Sequence, residues 1–306
     1  MQETRHRVLA ALSDGPVSGP DLADRLDISR AAVWKHVEAL REDGFAIESG
    51  DAGYELTSVP EFGGPAVEFG LDAPFEVEYH ASVPSTNSRA RELAGDGASD
   101  VVVLADEQTG GRGRLDREWA SPSGGIWLSI LFRPEVPTAQ TPIYTLAAAV
   151  AVTRTAREAG VDAGIKWPND VLTDDQKLVG ILTEMEGEAD RASWVVVGMG
   201  INANVDADAL VPEATSLREQ VGDVTRRVFT QRILEEFDAL RADPDAVLPA
   251  WRDLSTTLGR RVRVETASGA VVGEAVDVEF PGSLIVDTDE GTVRVTAGDC
   301  EHLRPA

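Results

Sequence analysis

Cysteine occurs once in the 306 residues, at position 300, and lysine three times, at 35, 166 and 177. A single cysteine excludes an intrachain disulfide. The four histidines, His6, His36, His80 and His302, are too scattered for metal-ligand spacing, so no bound metal site is expected. No apolar run approaches the roughly twenty residues that a membrane span needs, and the first residues lack a secretory-signal pattern. The cytoplasm is the expected compartment, and no membrane partner is expected. Also missing are G-x-x-x-x-G-K-[ST] and a G-x-G-x-x-G placed between strand and helix. If phosphate is bound, some other device must hold it.

What is present in excess is acid. The 53 Asp and Glu outweigh 28 Lys and Arg for a formal charge of −25, spread along the chain rather than gathered in a tail. That distribution suits a strongly hydrated surface, and a salt-rich cytoplasm is one explanation. If surface lysines have been depleted generally, the three that survive are candidates for need.

The length allows two or three domains. Residues 5–57 read as a small helical unit ending in a hairpin. Val8, Leu9 and Leu12 give one helix an apolar face, Leu22, Ala23 and Leu26 a second, and Val33, Val37 and Leu40 a third that Ser29 can cap. This leaves Arg30, Trp34 and Lys35 exposed near the start of the third helix. "FAIESGDAGYEL" follows with glycines 50 and 53 at its turn. The outline is a winged helix-turn-helix, which lays its third helix in a DNA major groove. The Pro/Gly-rich stretch 58–70 reads as a linker. Beyond it come strand-like "DVVVLA" and "GIWLSILF", a helix across 141–159, strand-like "KLVGILTEM" and "WVVVGMGI", and helical patterns at about 228–254. "WVVVGM" lacks polar alternation and suits a central strand buried on both faces. From Leu258 short β segments separated by turns read as a small barrel. The expected class is α+β: a winged domain (1–60), a mixed α/β domain (61–256) and a small C-terminal β-barrel of the Src-homology-3 type (257–306).

Four stretches carry chemistry. "EQTGGRGRLDREW" (107–119) gathers Arg112, Arg114 and Arg117 on glycine-rich backbone, with Trp119 closing it. Glycines allow close backbone approach and arginines offer forked donors, so the stretch suits an anion. "IKWPNDVL" (165–172) sets Lys166, Asn169 and Asp170 around a proline turn, where polar groups could meet a ligand or Mg2+. "KLVGIL" starts a strand at Lys177, and "GMGIN" puts Asn202 just past the end of a buried one. Singly, each has an ordinary reading as a surface loop, a turn or a solvated strand end.

Together and in this order, the four resemble the motifs of the biotin protein ligases. With the winged N-terminus and the C-terminal barrel they are similar to the bifunctional form, both ligase and biotin-operon repressor. The resemblance implies a two-step reaction in which biotin and Mg-ATP give biotinyl-adenylate and pyrophosphate, and biotin then passes to one lysine of a biotin carboxyl carrier protein. It implies that Ser85, Thr86, Asn87, Gln108, Arg112, Arg114 and Lys177 bind biotin. Arg112, Arg117, Trp119, Lys166, Asn202 and Arg304 would bind ATP or adenylate, with Arg304 toward the triphosphate. Lys177, Arg114 and Asp170 would carry the catalysis: Lys177 between the carboxylate and the α-phosphate, Asp170 toward Mg2+ or the acceptor lysine. It further implies operator DNA bound through Arg30, Trp34 and Lys35, and a homodimer when adenylate is held.

The family commonly has glycine where this chain has Asp116, which bears on how the arginine loop closes. Two other readings stand beside the ligase: a DNA-binding biotin sensor without ligase activity, and a lipoate ligase on the same scaffold. Residues 1–57 carry six basic and eleven acidic groups, a net of −5. DNA affinity rests on cationic contacts to phosphate, so a winged fold kept for stability or dimer contacts is the alternative to DNA binding.

Overall fold

The computed structural model describes residues 3–303, without the Asp116 side chain. Arg304 lies outside the described residues. In the N-terminal unit, α1 (Glu3–Ser13), α2 (Gly19–Leu26) and α3 (Arg30–Glu42) lead into a hairpin of β1 (Ala46–Gly50) and β2 (Gly53–Ser58). Ser18 and Ser29 cap the second and third helices by accepting from the amides of Asp21 and Ala32, satisfying N–H groups that a helix start leaves open. The nine apolar residues expected on the three helices all close on one core, joined by Phe45 and Ile47. Arg30, Trp34 and Lys35 face solvent on α3.

The expected linker is folded. Gly63 enters α4 (Gly64–Glu68) with a proline in its first turn, where a missing N–H costs nothing. Val67 is wholly buried in the central core, and Phe69 packs edge-on against Phe45 and His6 of the winged unit, at 6.1 and 6.3 Å between ring centroids. Proline and glycine here mark a tight helix entry. The apolar Phe62, Val67 and Phe69 that share the stretch give it surfaces to bury.

The central domain runs β3 (Glu76–Val83), α5 (Thr86–Gly95), β4 (Val101–Gln108), β5 (Ile126–Phe132), α6 (Pro142–Glu158), β6 (Gly164–Lys166), β7 (Asp170–Thr173), β8 (Gln176–Glu188), β9 (Arg191–Ile201), α7 (Leu217–Val221), α8 (Arg226–Ala242) and α9 (Val247–Leu254). Its seven-stranded sheet has the order β3-β4-β5-β9-β8-β7-β6, parallel between β3 and β4 and antiparallel elsewhere. β9 is therefore the middle strand, as its unbroken apolar run predicts. Long α6, with α8 and α9, packs on one face over Val102, Leu104, Ile130 and Val197. The shorter α5 packs on the other, over Val103, Leu131 and Val196. Because α5 covers only part of that face, the sheet beyond its N-terminus is left open.

The segment after Leu258 forms β10 (Arg261–Thr266), β11 (Gly269–Glu279), β12 (Ser283–Thr288), β13 (Gly291–Val295) and β14 (Asp299–His302), a five-stranded antiparallel sheet in the order β13-β12-β11-β10-β14. Among the described residues no helix is long and apolar enough to cross a membrane.

Candidate functional site

The open part of the sheet is hollow because its side chains there are small. Register places Gly180 of β8 opposite Gly200 of β9, and Gly198 of β9 opposite both Leu182 and Ser129. With a period of two, these residues share the face that α5 only partly covers. A Cβ at Gly200 would lie 2.6 Å from the Trp119 indole nitrogen, one at Gly180 would lie 3.0 Å from the same ring, and one at Gly198 would collide with the Asn87 amide. Glycine within a strand weakens it and marks a close approach. Here the approach is by Trp119 and Asn87, which explains the glycines of "KLVGIL" and "GMGIN".

The hollow is a cleft of about 420 Å³. Of the residues expected to carry function, Ser85, Thr86, Asn87, Gln108, Arg112, Arg114, Arg117, Trp119, Asp170 and Lys177 line it. At one end Ser85 is the N-cap of α5, with Thr86 and Asn87 in its first turn. The Gln108 Oε1 accepts from the Thr86 amide at 2.8 Å. An amide N–H can only donate, so this fixes the carboxamide orientation. The Gln108 Nε2 then donates to Ser121 Oγ at 3.0 Å and keeps a second hydrogen to offer. Asn87 differs. Its Nδ2 donates to Leu182 O and Glu184 Oε2, and its Oδ1 accepts from Ser129 Oγ at 2.6 Å. Its donors are spent on protein, so it braces the wall of the cleft.

At the other end the Lys177 Nζ sits 2.7 Å from Asp170 Oδ1 and 4.9 Å from the centre of the Trp119 ring. The Trp119 indole N–H is buried and has no acceptor among the described residues. The arginine loop lies over the cleft. Arg114 donates to Asn169 Oδ1 at 2.9 Å and to Gly298 O at 2.7 Å, while Arg117 pairs with Asp299 at 2.5 Å. The left-handed residue in this turn is Leu115, with φ of 56°. Arg112 bridges Glu118 through the backbone. Four cations (Arg112, Arg114, Arg117, Lys177) and four carboxylates (Glu118, Asp170, Glu213, Asp299) line the cleft, so locally it is balanced inside a chain of charge −25.

Two expected site residues stand apart from the lining. Asn202 follows β9 but is buried, and its Nδ2 donates to Thr215 O at 3.0 Å and toward Lys177 O at 3.5 Å. It therefore ties the 215–217 segment to the backbone that carries Lys177. Lys166 lies by the C-terminal sheet, where its charge helps hold His302 below the ordinary value and opposes the burial that pushes the Cys300 thiol up to about 11. Sequence reasoning missed Ser129, Ser121, Glu118, Glu213 and Asp299. Only Ser129 had a local signal: it is the one hydroxyl in the apolar run "GIWLSILF".

A model of the biotin/lipoate A/B protein ligase family matches residues 79–202, an HTH domain model matches 4–55, and a model of the biotin protein ligase C terminal domain matches 257–303. The bifunctional ligase/repressor BirA of Bacillus subtilis is 38% identical over 305 residues, covering 93% of each chain. This chain belongs to the biotin protein ligase family. The biotin--[acetyl-CoA-carboxylase] ligase of Mycobacterium tuberculosis is 36% identical over 244 residues, spanning 75% of this chain and 90% of its own. A solved structure of the Aquifex aeolicus biotin protein ligase, in complex with biotin and ATP, superposes with a TM-score of 0.63 at 26% identity, over 74% of this chain and 99% of that one. Each of these two covers about three quarters of this chain. The BirA relative covers 93% of it.

Proposed function

We propose that this chain activates biotin with Mg-ATP to biotinyl-adenylate, transfers biotin to a lysine of a carrier domain, and reports unused adenylate to DNA through its winged unit. One observation carries the reading: a single cleft brings together the end of α5, Gln108, the arginine loop and Lys177, although 92 residues of sequence separate Ser85 from Lys177.

Biotin's ureido ring is neutral and rich in donors and acceptors, and it seats against Ser85, Thr86 and Gln108, whose remaining amide hydrogen meets a carbonyl oxygen. The valeryl carboxylate then points toward Lys177, with adenine by Trp119 and the phosphates under Arg112, Arg114 and Arg117. In the first step a carboxylate oxygen attacks the α-phosphorus and pyrophosphate leaves. Negative charge accumulates between the two groups, and a fixed cation at that place lowers the barrier. In the second step the acceptor amine attacks the acyl carbon and AMP leaves.

Because Arg117 and Lys177 are already paired with carboxylates, nucleotide entry is an exchange of partners. Phosphate takes Arg117 from Asp299 and Lys177 from Asp170, leaving Asp170 free to meet the incoming lysine ammonium. Among the described residues no three His, Cys, Asp or Glu side chains converge as a metal cage. Mg2+ enters as part of the Mg-ATP substrate, with Asp170 the candidate carboxylate to meet it.

Biotin-dependent exchange of pyrophosphate into ATP, followed by transfer to a purified carrier domain, tests the reading. Exchange and transfer with biotin are expected. Biotin binding without exchange would leave a sensor, and exchange supported only by lipoate would move the substrate to the lipoate branch.

A further inference from the structure

Arg114 is held by the turn between β6 and β7, and that turn is itself held from the C-terminal sheet. The turn consists of Trp167, Pro168 and Asn169. Asn169 is aimed from within the central sheet: its Nδ2 donates to Ile181 O at 2.7 Å and its carbonyl accepts from the Ile181 amide, which leaves Oδ1 facing Arg114. Pro168 has no N–H, so the entry to the turn hangs on Trp167. The Trp167 amide donates to Thr257 Oγ1 at 3.0 Å, and its indole N–H donates to Gly282 O at 2.9 Å. Both acceptors belong to the C-terminal segment, and Trp167 and Thr257 are almost wholly buried.

Thr257 is in turn bonded to His302. The Trp167 amide can only donate to Thr257 Oγ1, and the Arg260 guanidinium, 3.5 Å from His302 Nδ1, can only donate to that nitrogen, so the His302 Nε2–H on β14 donates to the second lone pair of Thr257 Oγ1 at 2.9 Å. This is the neutral imidazole with its proton on Nε2 and its Nδ1 lone pair turned to Arg260. Burial, with the charges of Lys166 and Arg260 against that of Asp175, lowers the His302 pKa to about 4, which keeps the ring neutral. His302 pairs in register with Val262 on β10, and the same β14 begins at Asp299, next to the Gly298 carbonyl that takes the other arm of Arg114.

We propose that Thr257 and His302 are positioning residues for the ligase reaction: acting through Trp167 and Asn169, they hold Arg114 over the cleft and so retain the adenylate. This rests on the biotin ligase reading. In the full-length chain, Thr257→Val keeps the shape and removes both hydrogen bonds, whereas Thr257→Ser restores them. Loss of one buried hydrogen-bond relay corresponds to about a tenfold change. Thr257→Val is expected to shorten the lifetime of bound biotinyl-adenylate about tenfold while leaving the KM for biotin within twofold. Thr257→Ser and His302→Gln, whose carboxamide nitrogen can donate, should stay near wild type. Hydrogen exchange of the 111–119 amides in the ligand-free chain reads the same device without chemistry, and should be faster in Thr257→Val by a similar factor.

Unchanged loop exchange in Thr257→Val, or a lower melting temperature with the wild-type lifetime, would overturn the proposal. So would a Thr257→Ser chain as impaired as Thr257→Val. A wild-type chain that makes no adenylate would sink the ligase reading instead, while the exchange experiment still decides this one.

Discussion

Single residues decide the shape and charge of the cleft. Lys177→Ala removes the cation between carboxylate and phosphate and leaves Asp170 without its partner, so adenylation should slow by about 10² to 10³, the range for one preorganised donor. Single-turnover adenylate formation measures it, and a rate within threefold of wild type would remove Lys177 from that role. Gly200→Ala adds a carbon 2.6 Å from the Trp119 indole and should raise the KM for ATP at least about tenfold by displacing the ring. Far-ultraviolet circular dichroism checks that the sheet survives. His302 makes a pH prediction. Its folded pKa of about 4 lies below the ordinary 6.5, so between those values the unfolded chain binds more protons. The stability contributed by neutral His302 is present above about 6.5 and lost as pH falls toward 4. The difference in melting temperature between wild type and His302→Gln should therefore narrow or reverse over that window and stay flat above it. Part of the cleft was legible because the arginines, Trp119 and Lys177 carry functional groups in unusual local company, whereas Ser85, Thr86, Asn87 and Gln108 were reached only through the family resemblance. Asp299 and Glu213 were not legible. They are ordinary acids among 53, made relevant only when the C-terminal sheet and the 206–216 segment fold over the cleft.

At the scale of elements, local chemistry predicted the winged unit closely because its caps and apolar stripes are both local: Ser29 stops one run, and Val33, Val37 and Leu40 repeat at helical spacing. It failed for the connector, because Pro and Gly start α4 as readily as they make a loop and only the burial of Val67 against the central sheet settles the choice. The short β6 and β7 were hidden for a related reason, since neither has enough residues to show a period. Their neighbour, the β7–β8 hairpin, carries a correctable strain. Asp174 and Asp175 form its two-residue turn at φ of 51° and 60°, a conformation that Asn-Gly adopts more readily. The exposed Arg260–Asp175 pair at 3.3 Å adds little to set against the change. Replacing the pair by Asn-Gly should stabilise the chain by about 0.5–1 kcal/mol. Thermal unfolding would show a higher midpoint for the central transition, and a lower one would mean that the aspartates do more than turn the chain.

At the scale of the molecule, charge sets the terms on which a winged unit can meet DNA. Residues 1–57 are net −5 within a chain of −25, so the long-range field of this protein repels a duplex. α3 nevertheless presents Arg30, Lys35 and Trp34, the last 58% exposed, on the face that a winged helix turns to the major groove. Three side chains on one unit make too few phosphate contacts to overcome that repulsion, whereas two units held at fixed spacing on a two-fold site double the contacts. The connector makes such fixed spacing possible. With Phe69 packed on the winged core, Val67 in the central core and Glu61 bound to Arg226 at the start of α8, the unit is docked rather than tethered. If adenylate drives dimer formation through the loop over the cleft, operator binding should require adenylate. It should also weaken less steeply with salt than that of a basic repressor, because screening relieves the repulsion while it weakens the contacts. Titration of a two-fold operator upstream of biotin genes at several KCl concentrations, with and without biotin and ATP, should give retention only with both ligands and a shallow slope. Equal retention without ligand would uncouple the winged unit from the cleft. Absence of retention at every salt concentration would assign that unit to packing or dimer contacts, with ligation at the cleft unaffected.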